Sequence, residues 1–396
     1  MKKIVTGSTI FIVLLWLGFV LTEFVFFFPL TYMNLDTDNE TTFLKGKNTI
    51  NVVFTGDIMM GDMGTKTLSS FGFDFPFIYT NHIISEADFS VGNLEGPLTE
   101  ICAKNPQKKW SYQVNPASAQ ALKRAGFDAV TLANNHIRDC GDDGIAATIR
   151  SLDKSGLYHF GAGENYSKAN RPLIRNISGV KIAFFGYLAP YIYVEGKKFS
   201  YYRYSVTKKQ SGGAYGTLAN IRRDFFRYRK NFDIGILVLH VGGRYIKRLK
   251  SEHVKWINSA LDIGFNAAVC HGTHLAGPLG NHRGKPIFYG LGNFSFASYN
   301  PLATFGLIGI LGIDKENKKI ISAEGIPIYT NNLNPLIALH PIPLKWFQRW
   351  RFNRNLKKNS RKFHAVFNKK SGHMILSMKS SRVLPPGYNM RRHFKR

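Results

Sequence analysis

Residues 130–139 read VTLANNHIRD, an apolar run that stops in two asparagines, a histidine, an arginine and an aspartate. Aliphatic and β-branched residues suit a buried strand, whereas Asn and His side chains commonly close turns by bonding nearby backbone. Taken alone, the stretch is a strand with a capped loop. Its neighbours change that reading. Apolar runs of strand length recur as INVVFTGD (50–57), ADFSVGNLEG (87–96), VKIAFFGY (180–187), FDIGILVLH (232–240), FNAAVCHGTH (265–274) and KPIFYGLGNF (285–294), with helical segments between them. Such alternation implies an α/β fold with a largely parallel or mixed sheet covered by helices. Asn115 with Pro116 opens one helix that Gly126 closes; Ser251 opens another that Gly264 closes.

Nearly every run ends in a ligand-type group: Asp57, Asn93 with Glu95, Asn135 with His136, His240, His271 with His274, and Asn293. In open α/β sheets, ligands bind outside the carboxyl ends of the strands. One Asp, one Glu, one or two amides and two or three His make a mixed oxygen and nitrogen set without thiolate. That set suits a pair of divalent ions such as Mn, Fe, Zn or Mg. Two ions bridged by a carboxylate activate water and clamp a phosphoryl group. A histidine that ligates nothing can serve beside them as general acid.

Six motifs in order, GDIMMGD, GNLEGPLT, LANNHIRDCGDDGI, LHVGGRY, CHGTH and KPIFYGLGNFSF, cover about residues 50–300. In this order they resemble the bacterial CapA capsule-synthesis family associated with poly-γ-glutamate, a branch similar to the calcineurin-like metallophosphoesterases. The resemblance implies a sandwich of two central mixed sheets flanked by helices, and a membrane-associated role in making or exporting an anionic polymer. It implies metal ligation by Asp57, Glu95, Asn135, His240, His271 and His274. His136 becomes the phosphate-facing acid, with Asp139 placed to orient its imidazole, and Asn134 caps the loop. Arg244 and Asn293 fall on the substrate side, although Asn293 could equally organise the site or turn the chain.

The sequence departs from the family pattern in places. Met59 stands where many metallophosphoesterases carry a His two residues after the first Asp. Arg244 stands where the family most often has Glu, which either removes a metal contact or adds a clamp for phosphate or carboxylate. CHGTH spaces its histidines three apart where His-x-His is common, so a turn must bring them together; Gly272 can supply it.

The formal charge is +28, and residues 345–396 hold sixteen Lys or Arg and no Asp or Glu, more than half the excess. Basic segments bind polyanions by counterion release. Anionic polymer and membrane surface rank above nucleic acid as partners, and interleaved aromatics such as Trp346, Trp350, Phe352, Phe363 and Phe367 favour the membrane surface. A solvated tail without a dedicated ligand is the alternative.

At the other end, Lys2 and Lys3 precede IVTGSTIFIVLLWLGFVLT, and Asp36, Asp38 and Glu40 follow it. That run is long enough to span a bilayer. The bulky residues after it favour an uncleaved anchor over a signal peptide, and the charges put the N-terminus in the cytoplasm with the main domain outside. The expected organisation is a transmembrane signal-anchor (1–34), a linker (35–49), the metallophosphatase-like domain (50–330) and a basic C-terminal tail (331–396). Three cysteines are too few for a disulfide scaffold, and a Cys102–Cys140 bridge stays open. The leading expectation is an anchored, metal-dependent hydrolase serving polymer assembly beside membrane synthesis and export proteins. A non-catalytic polyanion-binding assembly factor is the alternative, and a secreted nucleotidase ranks last.

Overall fold

The computed structural model describes residues 48–102, 110–194, 197–242, 249–297, 300, 303–330, 339–344, 346–367 and 374–376. Strands β1 (Thr49–Met59), β2 (Phe89–Leu94), β3 (Ala129–Thr131) and β4 (Tyr158–Phe160) run parallel, side by side, in the first sheet. In the second sheet β5 (Leu173–Ile177) pairs antiparallel with β6 (Val180–Leu188), and the parallel strands β7 (Ile234–His240) and β8 (Ala267–His271) follow. The hairpin of β9 (Leu279–His282) and β10 (Lys285–Phe288) extends it, with β10 parallel to β8. The chain then returns to the first sheet. There β11 (Asn293–Phe296) lies parallel on β1, β12 (Phe305–Asp314) antiparallel on β1, and β13 (Lys319–Tyr329) antiparallel on β12.

The strands read as continuous apolar runs because both faces of each sheet are covered. Along β1, Val52 and Phe54 point into a core shared with Phe184 of β6, Val238 of β7 and Val269 of β8, while Val53 points the other way. That outer face meets helices α1 (Ala117–Arg124) and α2 (Gly141–Lys154) through Leu122, Ile145 and Leu152. On the outer face of the second sheet, Phe185, Leu237 and Leu239 meet α3 (Leu218–Tyr228) and α4 (Ser251–Asp262) through Ile221, Phe225, Ile257 and Leu261. The order is helix, sheet, sheet, helix. This is the two-sheet α/β architecture that the family resemblance implies.

KPIFYGLGNF reads as one strand but serves two sheets. Lys285–Phe288 stays in the second, and Asn293–Phe296 pairs with β1 in the first. Gly292 makes the crossing at φ +73°, and its carbonyl accepts from Asp57 N at 2.9 Å. No local pattern announces such a crossing, because both halves are equally apolar.

Two expectations are corrected. The sheet does not end near residue 330: β14 (Ile342–Pro343) and β15 (Met374–Leu376) both pair with β13. Between them α5 (Trp346–Ser360) lies on the domain, with Leu356 and Asn353 buried and Ser360 Oγ accepting from Leu279 N at 3.0 Å. Several of the aromatics read as membrane-facing are packing residues: Phe352 meets Phe305 at 5.5 Å between ring centres, and Phe363 meets Tyr289 at 4.6 Å. Trp350 alone of the described set fits the exposed reading, at 55% accessible.

The second correction concerns the membrane. Residues 1–34 lie outside the described residues, and among the described residues no helix is long and apolar enough to cross a membrane. The longest helix there, α5 with 15 residues, extends about 22 Å, short of a hydrocarbon core of about 30 Å. The single-pass placement with an external domain is therefore set aside.

Candidate metal centre

The register of the parallel strands levels their carboxyl ends. Asp57 of β1 pairs with Asn93 of β2 and Asn293 of β11, and His240 of β7 pairs with His271 of β8. The ends of β1, β2, β7 and β8 and the first residue of β11 thus meet in one place. Glu95 follows β2 directly, and its N–H donates to Ile58 O at 2.8 Å, which carries its side chain into the same space.

Glu95 sits at the middle of three imidazoles. Its Oε1 lies 3.7 Å from His274 Nε2, 3.8 Å from His136 Nε2 and 3.9 Å from His240 Nε2. Asp57 meets the other side of the group, 3.2 Å from His274 Nδ1 and 3.6 Å from His271 Nδ1. Asn135 Oδ1 and His240 Nε2 are 2.6 Å apart. Asp57 and Glu95 have no exposed surface, and His240 and His271 have about 1%. Two carboxylates so deeply removed from water require strong positive partners.

A proton on His274 supplies one. Burial alone would lower His274, but the Glu95 and Asp57 carboxylates push it up to about 9. Burial would raise Asp57, yet the His271 and His274 imidazoles beside it hold it far below the usual carboxylate range. His240 goes the opposite way, pushed down to about 3 by burial, and is a neutral ring.

These residues fit a metal ion on three counts. Potential ligand atoms of Asp57, Glu95 and His240 all lie within 4.8 Å of one another. The gaps from Glu95 to His274 and His240, at 3.7 and 3.9 Å, are too long for hydrogen bonds, yet suit groups sharing one ion at about 2 Å each. Among the described residues neither ring nitrogen of buried His271 has a hydrogen-bond partner, a loss of about 1–3 kcal/mol that a coordinated nitrogen would not suffer.

The turn after β8 answers the three-residue histidine spacing. Gly272 takes φ +79° and His274 φ +57°, so the chain folds back and His274 returns to the side of His271. The same turn aims the Gly272 N–H at the Asp57 carboxylate, 3.1 and 3.2 Å from its oxygens.

The loop after β3 is organised by side chains. Asn134 Oδ1 accepts from His136 N at 3.1 Å, and its amide donates to Leu94 O at 2.8 Å. His136 Nδ1 lies 2.6 Å from Asp139 Oδ2, which leaves Nε2 directed at the Glu95 side of the centre. Asp139 also accepts from Tyr112 N at 2.6 Å, and the Tyr112 ring stacks on His136 with centres 4.1 Å apart.

Of the ten residues singled out in the sequence, eight converge: Asp57, Glu95, Asn135, His136, Asp139, His240, His271 and His274. Asn293 does not face outward to a substrate; it is fully buried, and its Oδ1 meets His274 Nδ1 at 2.9 Å. Arg244 lies outside the described residues. The sequence underused Asn93, whose amide donates to Asp57 Oδ1 at 2.8 Å; standing two before Glu95, it shares a strand face with it. Tyr112 was invisible, because no periodicity or motif ties it to the loop it covers.

A two-sheet α/β sandwich with a buried carboxylate and histidine cluster at its strand tips defines the class. A family model, Bacterial capsule synthesis protein PGA_cap, matches residues 51–298, and the chain belongs to that family. It is 31% identical over 246 residues to the PGA biosynthesis protein CapA of Bacillus subtilis, covering 61% of this chain and 62% of that protein. To the Capsule biosynthesis protein CapA of Bacillus anthracis it is 28% identical over 254 residues, covering 62% and 60%. The chain thus spans about three fifths of the length of these relatives. A crystal structure of a novel phosphatase from Mycoplasma pneumoniae superposes with a TM-score of 0.46 at 14% identity, over 73% of this chain and 96% of that one. A likeness of that size carries no argument about activity.

Proposed function

We propose that the chain is a metal-dependent hydrolase of capsule or poly-γ-glutamate synthesis, acting on a phosphoester or an acidic polymer beside the proteins that make and export it. The observation that carries this reading is Glu95 buried between His274 and His240 at 3.7 and 3.9 Å, gaps suited to a shared ion, with the His136 ring 3.8 Å away beside them. Asp57, Glu95, Asn135, His240, His271 and His274 would hold two divalent ions, drawn from Mn, Fe, Zn or Mg. Bound there, such ions supply Lewis acidity toward a phosphoryl or carbonyl oxygen.

The remaining residues handle protons and position. Asp139 holds the proton on His136 Nδ1, which fixes the ring and favours its charged form. The charged ring can then give the proton on Nε2 to a leaving oxygen. Asn93 and the Gly272 N–H keep Asp57 aimed, and Asn293 does the same for His274. Metal analysis of the full chain and phosphodiester turnover in manganese test the reading. Bound metal with His136-dependent turnover is expected; absence of both across several acidic substrates would overturn it.

A second reading, a polyanion-binding assembly factor, draws support from α5. Its inner face is buried through Asn353, Leu356 and Ser360, while Arg351, Arg354, Lys358 and, just beyond, Arg361 and Lys362 are exposed. This row matches the repeating carboxylates of an acidic polymer. It predicts polyglutamate binding that weakens steeply with salt, and polymer production that tolerates His136→Ala. A His136→Ala strain making no polymer would sink it.

A further inference from the structure

Cys102 and Cys140 form a disulfide, with Cα atoms 4.8 Å apart. Its place matters more than its presence. Cys140 immediately follows Asp139, the residue that holds the His136 ring. Cys102 ends a segment that runs beside residues 110–114: Thr99 N donates to Val114 O and Val114 N to Pro97 O, each at 3.0 Å. Gln113 reinforces the pairing through Glu100 O at 2.8 Å. From that strap Tyr112 N–H reaches Asp139 Oδ2 at 2.6 Å, Ser111 Oγ donates to Asp139 O at 3.3 Å, and the Tyr112 ring covers His136. One covalent bond therefore fastens the segment on which the strap lies to the loop, at the residue next to Asp139.

We propose that the Cys102–Cys140 bridge, acting through the 110–114 strap, is a positioning device for the His136–Asp139 pair, so that opening it disarms proton transfer while leaving the metal-ligating cluster assembled. This rests on the reading of His136 as the proton donor. Asp57, His240, His271 and His274 stand on strand tips and the β8 turn, away from the tether. Asn135 on the tethered loop and Glu95, which leads into the 97–102 segment, are each held from the other side, by His240 Nε2 and by Ile58 O. The bridge is also reachable: Cys102 is half-buried beside Ile101, which is 86% exposed. The third cysteine is not; Cys270 is fully buried, and burial pushes its thiol up beyond the usual range.

The chemistry is ordinary thiol–disulfide exchange. A dithiol attacks Cys102 Sγ, Cys140 leaves as thiolate, and the second thiol closes on the first to release Cys102. The dithiol departs as its own disulfide, having given two electrons, and its two protons end on the two cysteines.

The test compares the full chain with the Cys102→Ser/Cys140→Ser double variant, and with wild type reduced by dithiothreitol, desalted and returned to manganese. Turnover, bound metal and amide exchange at Tyr112 and Asp139 are measured on each. Expected is a fall in kcat of about 100-fold, the size of a misplaced catalytic group, with KM and metal content held and amide protection lost at both positions. Reoxidation of the reduced wild type restores kcat, and the unchanged KM and metal content separate a displaced proton donor from general destabilisation. A kcat within about twofold of wild type, with protection unchanged, would overturn the proposal. Should the wild type show no turnover at all, the hydrolase reading fails, and amide exchange alone then decides the bridge. Should the double variant fail to fold, the reduced wild type supplies the same readouts.

Discussion

The loop after β3 and the turn after β8 each bring histidine to the centre, and they are held in opposite ways. Around His136 the backbone is ordinary and side chains do the holding: Asn134 to Leu94, Asp139 to Tyr112, and a disulfide beside them. Around His271 and His274 the backbone itself is the device, with two left-handed residues in three positions and the Gly272 N–H as a donor. Side-chain clamps can be loosened one bond at a time. A backbone turn tolerates far less, because one wrong Cβ changes every residue in it.

The largest effect should therefore come from Gly272→Ala. A Cβ there collides with His240 Nε2, and the left-handed φ adds strain of roughly 1–3 kcal/mol. Loss of bound metal together with a lowered unfolding midpoint is expected; a variant that keeps both would break the contrast between the two loops. His136→Ala should cost turnover about 10²–10⁴-fold while calorimetry finds the same metal affinity, since its ring lies on the proton-donating side of the centre. Asn134→Ala should leave chemistry more intact but lower stability by about 1–3 kcal/mol, because Leu94 O loses a buried donor; denaturant titration reads it.

A smaller and more diagnostic effect is that of pH on the metal-free protein. His274 has a folded value of about 9 against an ordinary 6.5, so its contribution to stability is complete below about pH 6.5 and lost as pH rises through 9. His240 has a folded value of about 3, so the neutral ring costs stability as pH falls below 6.5, where the unfolded chain takes up its proton. Melting temperature should peak near neutrality, and His240→Gln should flatten only the acid side. If the variant flattens the alkaline side instead, the two rings have been assigned the wrong way round. The smallest effect on the fold should follow from Arg354→Glu/Lys358→Glu on the exposed side of α5: an unchanged melting temperature, with weaker and less salt-sensitive polyglutamate binding.

Much of the centre was readable from the chain because strand tips obey a simple rule. Asp57, Glu95, His136 and His240 each close an apolar run, and parallel strands deliver such residues to one edge whatever their loops do. Asn293 was readable as a strand-tip residue with its role open between substrate, site-organising and turn; the crossing at Gly292 turns it inward toward His274. The C-terminal segment misled for a related reason. Its charge is the same either way, because a helix that buries Leu356 and exposes Arg354 has the same composition as a solvated tail.

Order and periodicity along VTLANNHIRD and its sister runs set an α/β fold of helix-covered strands and the identity of most cluster residues, because hydrophobic burial and strand polarity act locally and repeat; the division into two sheets came only with the family resemblance. Tyr112 over His136, the pairing of Cys102 with Cys140 and the return of His274 toward Asp57 depend on contacts between segments up to 217 positions apart. Such contacts exist only once the sheets have closed on their shared core, so no short window of residues carries their signature.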